Sequence, residues 1–160
     1  MGVNRWEDVF CKEVRLPYVR WEYVCEEVER SIEAIQDKDA SYFSNKLPPS
    51  EHWRAYKEFK EGVAFLDIET TGLLPDRSYI TMVGLFDGKK YRAFIHGINI
   101  DEVVDVLPKF KMIITFNGRR FDVPFLLKKF PEIEIRCLHT DLLYYTRRLG
   151  LRGGLKNIER

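Results

Sequence analysis

The sequence predicts an α/β protein: a mixed sheet with helices on both faces, preceded by a helical extension. Three observations predict it. The hydrophobic period changes from helical to strand-like at Gly62, Asp87-Gly88 separates two strand-like runs, and from residue 100 onward helical and strand-like stretches alternate. With 160 residues, 45% of them hydrophobic, the chain has apolar material for one ordinary core.

The elements follow in order. Trp21, Val24, Val28, Ile32 and Ile35 fall on one stripe of an amphipathic helix. The stretch DKDASYFSNKLPPS (37–50) breaks that pattern. Ser50, after Pro48 and Pro49, reads as the N-cap of a second helix, EHWRAYKEFKE, with Trp53 and Tyr56 on one side. Residues 1–60 are therefore expected to form a helical N-terminal extension, and residues 61–160 the main domain. There, VAFLDI is a strand, and SYITMVGLF and KYRAFI are two more, joined through a two-residue turn at Asp87-Gly88. Ile100, Val103, Val104 and Leu107 have helical spacing and lead into the strand MIITF. A helix from Phe121 to Lys129, a strand IEIRCL and a helix marked by Leu142, Tyr145 and Leu149 complete the order βββαβαβα. Three antiparallel strands, then two joined through helices, make a mixed sheet.

Several function classes are excluded. The longest stretch without Asp, Glu, Lys or Arg is Ser78–Phe86, whereas a membrane-spanning helix needs about 20 apolar residues. The opening MGVNRWEDVF carries both charge signs, and no apolar run of signal-peptide length follows. Cys11, Cys25 and Cys137 form no CxxC and fit neither a disulfide framework nor a zinc cluster. The expectation is a cytoplasmic protein with no membrane partner. A net charge of +1 hides an asymmetry: residues 1–110 hold 15 Lys/Arg against 20 Asp/Glu, and residues 111–160 hold 11 against 5. The basic end points to a polyanion partner or to a merely solvated face.

Chemistry concentrates in VAFLDIETTG. Side chains alternate along a strand, so Val63, Phe65, Asp67 and Glu69 share one face and Ala64, Leu66, Ile68 and Thr70 the other. Both faces start apolar, as in a central buried strand, and one turns acidic at its C-terminal end. The Asp67 and Glu69 Cα atoms are roughly 6.6 Å apart in a strand, so the carboxylates can converge on one cation. The plain alternative is a half-exposed strand whose acids face water. In FNGRRFDVPF, Asn117-Gly118 ends a strand in a turn and Asp122 stands at or just inside the start of a helix. Asp122 is a first-turn acid favoured by the helix dipole, a third carboxylate at the ligand-binding edge of an open sheet, or both. Thr70, Thr71 and Gly72 read as a strand-ending turn. His139 and Asp141 read as strand end and helix cap. Arg147, Arg148, Arg152 and Lys156 cluster near the C-terminus, and Phe116, Phe121, Tyr144 and Tyr145 are either base-stacking rings or core.

These motifs resemble a known family. FLDIETTGL and FNGRRFDVPFL are similar to the first two motifs of the DEDD superfamily of exonucleases, which have a ribonuclease H-like fold. LPPSEHWRAYKEFKEGVAFLDIETTGL, FNGRRFDVPFL, HTDLLYYTRRLG and GGLKNIER, in that order, resemble the YprB-type ribonuclease H-like domain family of predicted exonucleases over about residues 40–160. The resemblance implies a ribonuclease H-like mixed sheet and metal-dependent phosphodiester hydrolysis, 3′ to 5′, at a single-stranded end of DNA or RNA. It implies Asp67, Glu69 and Asp122 as metal-binding and catalytic acids for Mg²⁺ or Mn²⁺, two ions in a complete site. Thr70, Thr71, Gly72, Asn117, Arg119 and Arg120 would bind substrate. The superfamily's fourth acid, with a His or Tyr shortly before it, would lie beyond GGLKNIER. The expectation is accordingly a fragment, a site completed by another segment, or a nucleic-acid binder with weak or lost catalysis.

Overall fold

The computed structural model describes residues 20–158. Its five strands are β1 (Val63–Thr70), β2 (Ile80–Phe86), β3 (Tyr91–Ile95), β4 (Met112–Thr115) and β5 (Leu138–Asp141). They form one sheet in the order β3-β2-β1-β4-β5. β1, β2 and β3 are antiparallel neighbours, while β4 and β5 run parallel to β1. This is the expected mixed sheet, with β1 at its centre. The helices are α1 (Trp21–Gln36), α2 (Ala40–Lys46), α3 (Tyr56–Phe59), α4 (Val103–Val106), α5 (Asp122–Lys129), α6 (Leu142–Arg148) and α7 (Leu155–Ile158). Among the described residues no helix is long and apolar enough to cross a membrane.

Alternation along β1 divides the core in two. Ala64, Leu66 and Ile68 are buried with Val83, Leu85 and Ile113 against Val103 of α4 and Phe125 and Leu126 of α5. On the other face, Val63, Met112, Ile114 and Leu138 pack against Ala40, Ala55 and Phe59. Helices thus lie on both faces, but the second cover is short because α2 has seven residues and α3 has four. The expectation that both faces of β1 are apolar and buried therefore holds only at Val63 and Ala64. Phe65 is 42% exposed, and Asp67 and Glu69 are exposed beyond it.

Five local expectations are corrected. Residues 37–50 do not simply break the helical pattern: the Asp39 carboxylate accepts the Ser41 and Tyr42 amides and starts α2. Ser50 is not an N-cap, because it lies inside a 3₁₀ turn, Pro49–Ala55, preceded by Pro48. The expected helix EHWRAYKEFKE is that turn, the single turn of α3 and a further 3₁₀ turn, Lys60–Gly62. The hairpin pairs Phe86 with Tyr91, so its loop is 87–90 and longer than the two-residue turn. There the Asp87 carboxylate accepts the Lys89 and Lys90 amides, with Gly88 at φ 88°. Finally, IEIRCL is not the last strand. Ile133, Ile135 and Cys137 alternate because they pack on the first core, and pairing with β4 begins at Leu138.

Candidate active site

The site lies where β1 outruns β4. The two strands pair from Val63 to Phe65, opposite Met112 to Ile114, and β1 then continues to Thr70 without β4 beside it. The amide of Ile68 finds its partner in a side chain instead. Asp122, the first residue of α5, accepts it through Oδ1 at 3.1 Å. The Asp122 carboxylate is thereby held between the positions of Asp67 and Glu69 on β1, and the residue is 3% exposed. Asp122 therefore stands in the first turn of α5 and beside the C-terminal half of β1.

The electrostatics are those of neighbouring carboxylates. Burial, and then the neighbouring Asp67 charge, push the Asp122 carboxyl up to about 7. Burial, and then Glu69, raise Asp67 as well. The side-chain charges that shift these two groups are all carboxylates. Packing like charges beside a core is unfavourable without a counter-ion, and an all-oxygen donor set suits a hard divalent cation. The residues present therefore fit Mg²⁺ or Mn²⁺ in chemistry. Among the described residues, however, no three His, Cys, Asp or Glu side chains converge as a ready-made metal cage. The acids are coupled pairwise, with Asp67 as the common member.

The other expected residues divide into turn-formers and open positions. Thr70 Oγ1 donates to the Gly72 carbonyl at 2.6 Å, and Thr71 Oγ1 accepts the Tyr79 amide at 3.1 Å, so both hydroxyls shape the turn after β1. Asn117 adopts φ 65°, and its amide donates to Asp141 Oδ1 at 2.7 Å. The Arg119 amide donates to Asp141 Oδ2 at 3.0 Å, and its guanidinium donates to the His139 carbonyl at 2.7 Å. Arg120 is exposed. Arg147, Arg148, Arg152 and Lys156 are also exposed, Phe121 packs on the first core, and Phe116 is half-buried.

Asp141 and His139 brace this edge. Asp141 caps α6 through the Leu143 amide while clamping the β4–α5 turn. His139 meets Thr115 Oγ1 at 2.9 Å and is lowered to about 4, first by burial and then by the Arg119 charge, so it is neutral at physiological pH. Sequence reasoning missed His52, whose Nδ1 accepts the His139 amide at 3.0 Å from 87 residues away. It is 5% exposed, and burial lowers its pKa too. No spacing rule connects such a pair.

The family model of the RNase_H superfamily matches residues 64–160. The chain belongs to the RNase_H superfamily. The superfamily region takes in Asp67, Glu69 and Asp122 and leaves α1 to α3 outside. No curated protein matches the chain. Among solved structures, Brucella melitensis NrnC bound to pGG aligns at 21% identity and a TM-score of 0.48, covering 64% of this chain and 53% of that one. NrnC with bound Mg²⁺ aligns at 23% identity and a TM-score of 0.44, covering 64% and 54%. The family B DNA polymerase of Pyrobaculum calidifontis aligns at 19% and 0.41, covering 51% and 15%. This RNase_H chain thus spans about half the length of the NrnC chains and a small part of the polymerase.

Proposed function

We propose that this RNase_H-superfamily chain is a divalent-metal-dependent nuclease, a 3′ to 5′ exonuclease acting on a single-stranded end of DNA or RNA. One observation carries the reading: the Asp122 carboxylate is docked on the Ile68 amide, between the positions of Asp67 and Glu69, and the like charge of Asp67 raises it. Asp67, Glu69 and Asp122 would hold Mg²⁺ or Mn²⁺, two ions in a complete site. When bound, such ions lower the pKa of water and stabilise the departing oxygen. Asp67, whose charge interacts with those of both other acids, would take part in holding the ions. Glu69 orients the attacking water on the open side, and Asp122 serves the buried side. The exposed Arg120 and the partly free Arg119 neutralise phosphate. Asn117, Thr70, Thr71 and Gly72 form the rim against which a terminal nucleotide sits, their backbone shape fixed by the turns that their side chains build.

A second reading is a nucleic-acid-binding module without catalysis, favoured by the lack of a converged cage among the described residues. One assay separates the two readings. End-labelled single strands incubated with Mn²⁺ or Mg²⁺ are expected to shorten from the 3′ end, and Asp67→Asn to abolish the shortening. Binding without shortening assigns the module.

A further inference from the structure

A cavity of about 320 Å³ opens on the β5 side of the same sheet edge. Its walls come from distant parts of the chain: Pro49 and Ser50 from the 3₁₀ turn, Tyr144, Tyr145 and Arg148 from α6, and Arg119 from the β4–α5 turn. The walls are fixed to each other. Tyr145 Oη donates to the Ser50 carbonyl at 2.8 Å, and its ring lies edge-on to Trp53 with centroids 6.4 Å apart. The size is at the lower end of small-ligand pockets, about 300 to 1,000 Å³.

Charge and shape select the ligand. Arg119 spends one nitrogen on the His139 carbonyl, and Arg148 is exposed. Among the described residues neither guanidinium belongs to an ion pair. Asp141 also lines the cavity, but its two oxygens already accept the Asn117, Arg119 and Leu143 amides. Tyr144 is 42% exposed. Two positive groups beside an open aromatic face match a phosphate joined to a flat base. Arg119 precedes Asp122 by three residues, a span of at most about 10 Å of chain, so cavity and carboxylates lie within reach of one strand.

We propose that this cavity holds one nucleotide of the strand whose cleavable bond lies at Asp67 and Asp122, with Arg119 and Arg148 on its phosphate and the Tyr144 ring against its base. The inference rests on the nucleic-acid reading above. It also gives the Pro49–Ala55 turn a task, since without that turn the cavity has one wall fewer.

The test is fluorescence anisotropy with a labelled single-stranded oligonucleotide of about eight nucleotides, a usual single-strand site size. EDTA is present, so hydrolysis plays no part. Tyr144→Ala is expected to weaken binding at least about fivefold, the low end of base–aromatic stacking. Arg148→Gln is expected to weaken binding and to reduce the slope of log affinity against log salt by about 0.7, one phosphate contact on a single strand. Lys109→Gln removes a positive charge at the opposite, N-terminal end of β4 and is expected to leave affinity within about twofold. Thermal midpoints within a few degrees of wild type show that the variants are folded. Equal effects of Arg148→Gln and Lys109→Gln, or displacement of the oligonucleotide by a nucleoside monophosphate at similar concentration, overturn the proposal. If wild type binds no strand, the nucleic-acid reading falls with it. If it binds with these dependences yet never cleaves with Mn²⁺, the subsite stands and only the nuclease reading falls.

Discussion

A carboxyl group that is 3% exposed and pushed up to about 7 costs the folded chain free energy whenever it ionises. The Asp122→Asn amide keeps an oxygen for the Ile68 N–H and removes the charge that repels Asp67. Without divalent cations at pH 8, this variant is expected to be more stable than wild type by about 1 to 3 kcal/mol in urea unfolding, and to cleave nothing. A less stable variant would mean that Asp122 already has a favourable ionic partner. His139 acts in the opposite sense. Its folded pKa, about 4, lies below the ordinary 6.5, so between those values the unfolded chain binds more protons and acid destabilises the fold. Asp122, raised from 3.8 to about 7, makes stability fall with rising pH over much of the same window. Wild-type stability therefore shows only the difference, and the variant isolates the term. His139→Gln is expected to remove an acid destabilisation of about 3 kcal/mol between pH 7 and pH 4, read as a change in urea-unfolding free energy on acidification that is more favourable than in wild type by that amount. Equal pH profiles would show that His139 titrates normally.

The turn between β4 and α5 shows how much of the site was legible at the level of elements. Asn117-Gly118 and the helix start at Asp122 are local signals, written in adjacent residues, and both survive in the structure. The paired acids of β1 were legible for the same reason, because strand alternation is a local rule. What sequence could not show was how these pieces meet. Ile68 and Asp122 are 54 residues apart, and His52 and His139 are 87 apart. The misplaced last strand has a related cause: Ile133 and Ile135 carry strand-like alternation that serves packing, and only the position of β4 decides where pairing begins. Helix α2 was missed because the Asp39 cap was outweighed by the Ser, Asn and Pro around it. The turn also sets a sharp steric demand. A Cβ on Gly118 would fall on the Thr115 side chain. Gly118→Ala is expected to cost about 1 to 3 kcal/mol and to weaken oligonucleotide binding, because the displaced turn carries Arg119. Chemical denaturation and anisotropy measure the two effects, and an unchanged midpoint would mean that Thr115 yields freely.

Across the whole molecule, the boundary near residue 60 divides the family-like region from its extension without dividing the core. We propose residues 1–60 as an N-terminal extension, helical in its described part and with residues 1–19 outside the described residues, and residues 61–160 as the ribonuclease H-like unit. Yet Val63, Met112, Ile114 and Leu138, all on the strands, are buried against Ala40, Ala55 and Phe59. The His139 amide, on the edge strand, finds its acceptor in His52. Four apolar side chains on one sheet face would meet water if the extension were removed, and each is worth about 1.5 to 3 kcal/mol when buried. That sum is comparable with the whole stability of a small domain, about 5 to 15 kcal/mol. A chain comprising residues 61–160 alone is therefore expected to lose cooperative thermal unfolding and to bind an apolar dye, while Phe59→Ala in the full chain lowers stability by about 3 to 5 kcal/mol. Circular dichroism melts and dye fluorescence read both. A truncated chain that melts cooperatively near the full-length midpoint would show that the sheet closes this face by other means, and the extension would then be an accessory and not part of the fold.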